Sequence, residues 1–143
     1  MTREKSFNET QEDILRERAQ VLARAGESVH AALERLRVLE KEIDRKTELY
    51  YRAAVKYPYG PPVHSRLRNF MEGLLEEING GVAGYNEQRE YAKVRYYYLI
   101  VTREAMGFRR HQMVEEIYRI PEKKRYLERP RWMAVSSWIY SEK

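Results

Sequence analysis

One pair of side chains near the N-terminus has the spacing of a metal-binding helix motif. Glu27 and His30 reproduce the Glu-x-x-His pattern of di-iron helical bundles. Such a site needs two of these motifs and two further inward-facing carboxylates, and the chain has no second copy of the motif. His30 also follows Val29, which lies on the apolar face described below, so its imidazole is expected to point outward. We therefore predict no metal site and no cofactor.

The other two histidines do not form a recognisable catalytic arrangement. His111 and Glu115 are one helical turn apart, which suits a surface ion pair, and His64 lies beside a proline-rich turn. The chain contains no cysteine, which excludes disulfides, zinc–thiolate sites and cysteine nucleophiles. We predict no catalytic residue and a non-enzymatic protein. A fold can still bring distant groups together for acid–base chemistry, so an enzyme remains the third interpretation.

A glycine-rich segment, Gly80-Gly81-Val82-Ala83-Gly84, superficially resembles a phosphate-binding loop. A nucleotide loop would follow a strand and continue into Lys-Ser or Lys-Thr, and neither feature is present. We interpret this segment as a hinge or a close-packing point rather than a ligand cradle.

Aromatic residues are the first candidates for binding a partner. The chain has 12 tyrosines and two tryptophans, grouped at a proline turn, in the triplet Tyr96-Tyr97-Tyr98 and near the C-terminus. Exposed aromatics are typical of protein–protein interfaces, and beside arginine they can also stack on bases. We favour burial of the triplet against a third helix or a second subunit, because Tyr97 is expected to meet Leu22. The predicted partner-binding residues are Tyr57, Tyr59, Tyr97, Tyr98, Trp132 and Trp138.

Basic residues near the C-terminus are the candidates for binding an anion. Residues 103–143 hold ten basic and six acidic side chains, so +4 of the net charge of +5 lies there. Nucleic acid, anionic lipid or an acidic protein surface would be attracted to this segment, although the interspersed glutamates dilute it. The candidate anion-binding residues are Arg109, Arg110, Lys123, Lys124, Arg125, Arg129 and Arg131.

The elements that must position these residues follow from a seven-residue repeat. Apolar residues recur at this step from Leu15 to Tyr57, so they form one stripe along one helix that requires a partner. The stripe consists of Leu15, Leu22, Val29, Leu36, Ile43, Tyr50 and Tyr57. Thr10 has the chemistry of a helix cap, with Asn8 as the alternative. We predict a first helix over residues 10–57.

Prolines and a glycine end this helix, and a second stripe follows. The turn is predicted at 58–61 and the second helical arm at 62–106. Its stripe consists of Met71, Ile78, Tyr85, Ala92, Leu99 and Met106. The phase is unchanged across Gly80-Gly81, so we favour one arm kinked there over two helices, 62–79 and 82–106, in a three-helix bundle. Folding at the turn would place Ile43 near Glu76 and Leu36 near Ala83.

The C-terminal part divides into two pieces. Residues 108–120 read as a short helix that Pro121 ends, and Gly107 either ends or bends the arm before it. Residues 121–143 read as an exposed basic linker or extended strap followed by an aromatic tail. The stretch 132–140 fits a helix or a strand equally well.

The predicted fold is therefore all-α: a single domain built as a long antiparallel helical hairpin, coiled-coil-like, with a shorter C-terminal helix and a docked aromatic tail. Apolar and aromatic residues exceed what one two-helix seam can cover, so we expect a homo-oligomer or a protein partner. No segment has the length and apolarity of a membrane span, and no signal peptide is recognisable, so a cytoplasmic location is expected. The predicted function is a helical interaction protein, such as a scaffold, adaptor or chaperone. The alternative is a nucleic-acid-binding protein that uses its basic C-terminal segment.

Overall fold

Two long helices make up most of the protein and pack against each other. The computed structural model describes residues 2–133, which form α1 (Thr2–Lys56), α2 (Arg66–Ala105) and α3 (Gln112–Ile117), with no strand among them. No helix in this range is long and apolar enough to cross a membrane. Contacts divide the chain into two compact units. The first unit combines the chain up to Arg35 with Gln88–Glu122, and the second combines Leu36–Glu87 with the chain from Lys123 onward.

α1 begins eight residues earlier than the capping pattern predicts. Thr10 lies inside the helix and its hydroxyl donates to the Ser6 carbonyl oxygen at 2.8 Å, so it does not act as a cap. The segment before it contains neither proline nor glycine, so nothing in its chemistry interrupts the helix. The predicted start at residue 10 is therefore wrong.

The connection between the long helices spans residues 57–65 and consists of two successive turns. The Gly60 N–H donates to the Tyr57 carbonyl and the Ser65 N–H donates to the Pro62 carbonyl, at 2.9 and 3.0 Å. The Ser65 hydroxyl then accepts the Arg68 N–H at 3.1 Å, which is an N-cap bond to the third residue of α2. α2 therefore starts at Arg66, four residues later than the predicted start at residue 62. The later start follows from Ser65, whose side chain accepts one of the free N–H groups of the first helical turn.

α2 passes through Gly80 and Gly81 as one uninterrupted helix. It ends at a Schellman motif, in which the Gly107 N–H donates to the Glu104 carbonyl and the Phe108 N–H to the Arg103 carbonyl. Gly107 has a φ of +93°, the left-handed conformation that this cap requires. Of the two expectations for Gly107, an end or a bend, the structure has the end.

The core of the second unit comes from the two predicted stripes. The buried residues are Leu36, Ile43 and Tyr50 of α1 with Met71, Leu74, Leu75, Ile78, Val82 and Tyr85 of α2. A Cβ built on Gly81 would lie 3.1 Å from Ile43 Cγ1, and Lys46 Nζ lies 3.3 Å from Glu77 Oε2. Ile43 therefore faces Gly81 rather than the predicted Glu76. The register moves by about one helical turn because α2 begins four residues later.

The core of the first unit is smaller and leaves part of α1 uncovered. Its buried apolar residues are Val29, Ala32 and Leu33 of α1, Ala92 and Leu99 of α2, and Val114 of α3. Residues 2–21 of α1, called the α1 arm below, are exposed throughout, including Leu15 at 63%. Leu15, the first residue of the seven-residue stripe, is therefore not covered within this unit.

α3 is shorter than the predicted helix 108–120. It has six residues, and from Arg119 to Pro130 the backbone is neither helix nor strand. Residues 108–120 therefore do not continue α2, because the Schellman motif at Gly107 redirects the chain first. Residues 131–133 form a helical turn, and residues 134–143, with Trp138 and most of the predicted aromatic tail, lie outside the described range.

Candidate interaction surfaces

The C-terminal segment from Lys123 to residue 133, called the strap below, lies in the second unit and is held by two asparagines of α2. Asn79 donates from its amide to the Leu127 carbonyl at 3.1 Å and accepts the Leu127 N–H at 2.8 Å. Asn86 makes the same pair of bonds with Lys124, at 3.0 and 2.9 Å. Each side-chain amide therefore pairs with both main-chain polar groups, the N–H and the carbonyl, of one strap residue.

A buried arginine joins the end of the strap to the turn between the long helices. The Arg68 guanidinium donates to the Pro61 carbonyl at 2.8 Å and to the Trp132 carbonyl at 2.7 Å, and it lies 4.7 Å from the centre of the Trp132 ring. Glu72 Oε1 is 3.9 Å from Arg68 Nε. Gly60 makes room for this arrangement, because a Cβ there would lie 2.6 Å from Trp132 Cδ2.

The predicted partner-binding aromatics of the second unit differ in their surroundings. Trp132 is half-buried in the Arg68 cluster, so it belongs to the packing of the strap. Tyr57 and Tyr59 lie on the turn, and Tyr59 is exposed at 91%. Trp138 is outside the described residues.

The predicted anion-binding residues are divided between the two units. Arg109 and Arg110 are exposed in the first unit, where the Arg110 carbonyl accepts a bond from Arg103 Nη2. Lys123, Arg125 and Arg131 are exposed in the second unit.

Two members of this basic set already face carboxylates. Lys124 Nζ lies 3.5 Å from Glu40 Oε1 and 5.1 Å from the Tyr85 ring centre, and Arg129 lies 3.7 Å from Glu76. Their charge is therefore partly used to hold the strap against acidic positions of α1 and α2.

Two tyrosines of the α2 triplet are exposed in the single chain, so their burial against a third helix is wrong, and burial against a second subunit stays a prediction. Tyr97 and Tyr98 are exposed at 65% and 56%, and only Tyr96 is partly covered. The prediction that Tyr97 is buried against Leu22 is wrong. Leu99 and Ala92 occupy the buried face of α2, and Tyr97 is two positions from Leu99, about 200° around the helix.

A cleft of about 650 Å³ in the first unit contains the Glu-x-x-His pair. Its walls include Leu22, Leu99, Val114 and Tyr118, with Glu27, His30 and Arg103 also lining it. A Cβ on Gly26 would lie 3.0 Å from the Tyr118 hydroxyl, so the glycine allows that ring to approach α1. Among residues 2–133 no three His, Asp or Glu side chains are grouped to hold a metal ion.

His111 pairs with Glu104 and not with the predicted Glu115. His111 Nε2 lies 3.2 Å from Glu104 Oε1, and Nδ1 accepts a bond from Arg103 Nε at 3.4 Å. His111 precedes α3 as its N-cap residue, so its ring turns back toward the end of α2, while its carbonyl accepts the Glu115 N–H. Arg103 also stacks on Phe108, 5.0 Å from the ring centre.

Burial changes the acidity of two tyrosines. Burial is the main cause of the raised pKa of Tyr50, with a smaller contribution from Tyr51. Burial also raises the pKa of Tyr96, helped by the carboxylate of Glu115 and opposed by Arg103.

Comparison with known proteins identifies no relative. No protein-family model, no curated protein and no solved structure matches this chain.

Sequence reasoning missed the residues that organise the second unit, namely Arg68, Asn79 and Asn86. The two asparagines are seven residues apart, so they lie on one face of α2, and this spacing was a readable signal. Arg68 carried no such signal, because its carbonyl partners are seven and 64 residues away.

Proposed function

We propose that the protein is a non-enzymatic helical interaction protein, a scaffold or adaptor, that binds a polypeptide partner through the α1 arm. In this proposal the two long helices form an extended antiparallel hairpin, and the first partner to expect is a second copy of the chain. The observation that carries the proposal is the exposed apolar stripe of the arm.

The stripe of the arm has the pattern of a helix–helix contact. Phe7, Ile14 and Val21 are seven residues apart, and Leu15 lies beside Ile14, so they share one side of the helix. All four are exposed, Phe7 at 64%. Exposed apolar residues that recur on one side of a helix are typical of a surface that a partner covers.

The arm also needs support on thermodynamic grounds. It contains twenty residues, not much longer than the roughly 12–15 residues below which an isolated helix is marginal in water. The reason is that forming the first helical turn costs free energy. Continuation from the packed part of α1 removes the nucleation cost, but no tertiary contact in the first unit covers the stripe. A partner helix against Phe7, Ile14 and Val21 would supply that contact.

A second apolar surface of the first unit lies on α2. Tyr91, Val94, Tyr98 and Val101 follow one another at three- and four-residue steps, and Tyr97 adjoins them; all are exposed. Tyrosine-rich patches are enriched in protein interfaces because each ring combines a large apolar area with a hydroxyl. This patch gives the proposed partner a second contact.

The test is the mass of the protein in solution by light scattering over a range of concentrations. We expect an oligomer that the triple substitution Phe7→Gln, Ile14→Gln and Val21→Gln dissociates. The matched control places the same new residue at polar positions of the arm, Ser6→Gln, Asn8→Gln and Thr10→Gln, and should leave the mass unchanged. A monomer at every concentration, or equal effects of the two triple variants, would contradict self-association through the arm.

The alternative function, nucleic-acid binding by the basic C-terminal segment, has less support. Lys124 and Arg129 face Glu40 and Glu76, so at least two of its seven candidate bases are paired within the second unit. Retardation of generic duplex DNA or RNA that weakens steeply with salt would favour this alternative over the scaffold.

A further inference from the structure

Two asparagines of α2 form hydrogen bonds with the main chain of the strap and not with its side chains. Asn79 and Asn86 each bind the N–H and the carbonyl of one residue, Leu127 and Lys124 respectively. A side-chain amide that pairs with both groups of a residue imitates the backbone pairing of a sheet. Because no strap side chain takes part in these four bonds, they need only a main-chain N–H and a carbonyl at each position, which every residue except proline supplies.

The spacing of these bonds fits an extended ligand, and the burial pattern of the strap favours polyproline II over a strand. Seven residues of α2 separate the asparagines, about 10.5 Å at 1.5 Å per residue. Three residues separate their partners, about 9.3 Å in a polyproline II helix. In the strap Lys124, Leu127 and Pro130 are half-buried while the residues between them are exposed, and this segment is neither helix nor strand. A burial period of three is the polyproline II period. Asn79 and Asn86, seven residues apart on α2, therefore contact two successive half-buried positions of the strap, Leu127 and Lys124.

The side chains of the strap add contacts suited to this surface. Lys124 reaches Glu40 of α1 and Arg129 reaches Glu76 of α2, so a basic segment lies on acidic positions. The Arg129–Glu76 pair is solvent-exposed, with side chains 65% and 73% accessible, and such pairs contribute little. From Lys124 to Pro130 the strap is therefore held by main-chain bonds and half-buried residues, and its end is anchored by Trp132 and the buried Met133.

We propose that Asn79 and Asn86 form a binding site for polyproline II peptides, that the strap is its ligand within the chain, and that the same site takes the strap of a second copy. The second copy is the occupant because its strap carries the same bases at the same spacing, so the two asparagines and the two glutamates would meet the same groups in it. The tether gives the chain's own strap an advantage that a competing strap must overcome. This site lies in the second unit and does not involve the α1 arm, so it stands apart from the proposed function.

Proline substitution separates the main-chain bonds from the side chains. The variant Lys124→Pro/Leu127→Pro keeps a φ suited to polyproline II but removes the two N–H groups that the asparagines accept. The variant Lys124→Ala/Leu127→Ala loses the same side chains and keeps both N–H groups. We expect the proline variant to release its strap and the alanine variant to retain it, seen in the NMR signals of the Asn79 and Asn86 side-chain amides.

The proline variant then presents a vacant site for synthetic strap peptides. Peptides spanning residues 119–133 are added up to the order of 1 mM, the effective concentration of a tethered segment. The native and alanine peptides should return the asparagine amide signals to their positions in the unaltered protein, and the proline peptide should not. Asn79→Ala/Asn86→Ala in the same background should weaken binding of the native peptide by at least about tenfold, followed on the main-chain amide signals of α2, since four hydrogen bonds are lost.

Binding of a second copy is measured in the same way, whatever the oligomeric state. The isotope-labelled proline variant is mixed with unlabelled Asn79→Ala/Asn86→Ala protein, which has a strap but no site. Recovery of the labelled asparagine amide signals supports the proposal. Unchanged signals, or equal binding of the proline and native peptides, would overturn it.

The unaltered protein provides a measurement that does not depend on any variant folding. Amide hydrogen exchange should be slow at Lys124 and Leu127 and fast at Arg125, Tyr126 and Glu128, following the period of three. Uniformly fast exchange along the strap would refute the site itself. Leu127→Pro alone is the milder variant if the double substitution prevents folding.

Discussion

Gly81 of α2 lies directly against Ile43 of α1, so closely that a Cβ on the glycine would stand 3.1 Å from Ile43 Cγ1. Gly80, its neighbour in sequence, has no heavy atom within 4 Å of the equivalent position. One residue of a glycine pair is thus required for packing, and the other is not.

We expect the two glycines to respond oppositely to the same substitution. Gly80→Leu should raise the free energy of unfolding by roughly 0.5–1 kcal/mol, because leucine favours the helix and meets open space. Gly81→Leu should lower it by roughly 1–3 kcal/mol, because the new side chain overpacks against Ile43. Urea unfolding followed by circular dichroism measures both. Equal effects would mean that Ile43 does not face Gly81.

Two leucines of the first stripe should differ in their contribution to stability. Leu36 is buried and Leu15 is exposed at 63%, although both belong to the same seven-residue repeat. Leu36→Ala should cost about 2–5 kcal/mol through lost burial and a cavity, whereas Leu15→Ala should change the stability of an isolated chain by no more than about 0.5 kcal/mol. Chemical unfolding at a dilution that ensures a monomer gives both values. A large cost at Leu15 under those conditions would show that the chain itself covers the arm.

The start of α2 depends on the hydroxyl of Ser65. Ser65→Ala removes the acceptor of the Arg68 N–H and should lower the free energy of unfolding by about 1 kcal/mol. Ser65→Asp restores an acceptor and adds a charge that the helix N-terminus favours, so it should remain close to the unaltered protein. The measurement is the melting temperature of the unaltered protein, Ser65→Ala and Ser65→Asp at one pH. Equal melting temperatures for the two variants would argue against the cap.

Alkaline pH should destabilise the protein through Tyr50. Its folded-state pKa is raised above the ordinary value of 10.0 by burial, so the unfolded chain releases this proton first. The stabilisation is therefore fully present below pH 10 and declines as the pH rises through the folded-state pKa. Tyr50→Phe should flatten this part of the curve of unfolding free energy against pH. Tyr59→Phe, at a residue exposed at 91%, is the control and should follow the unaltered protein. Parallel curves for all three would exclude the effect.

The seven-residue stripes were sufficient to predict two long helices and the residues that face inward along much of them. Ile43 and Tyr50 of α1, and Ile78 and Tyr85 of α2, are buried as their spacing predicts. The reason is local: a repeat close to two helical turns defines one apolar face whatever the rest of the chain does.

What covers each face is a tertiary property, and only the structure decided it. Leu15 and Leu36 have the same pattern, yet one is exposed and the other buried, because coverage depends on where α2 begins and ends. The start of α2 at the Ser65 cap shifted the register by about one turn, and the Schellman motif at Gly107 redirected the chain before a longer helix could form. Asn79 and Asn86 meet the strap across 38 to 48 residues, a distance over which helical periodicity carries no information.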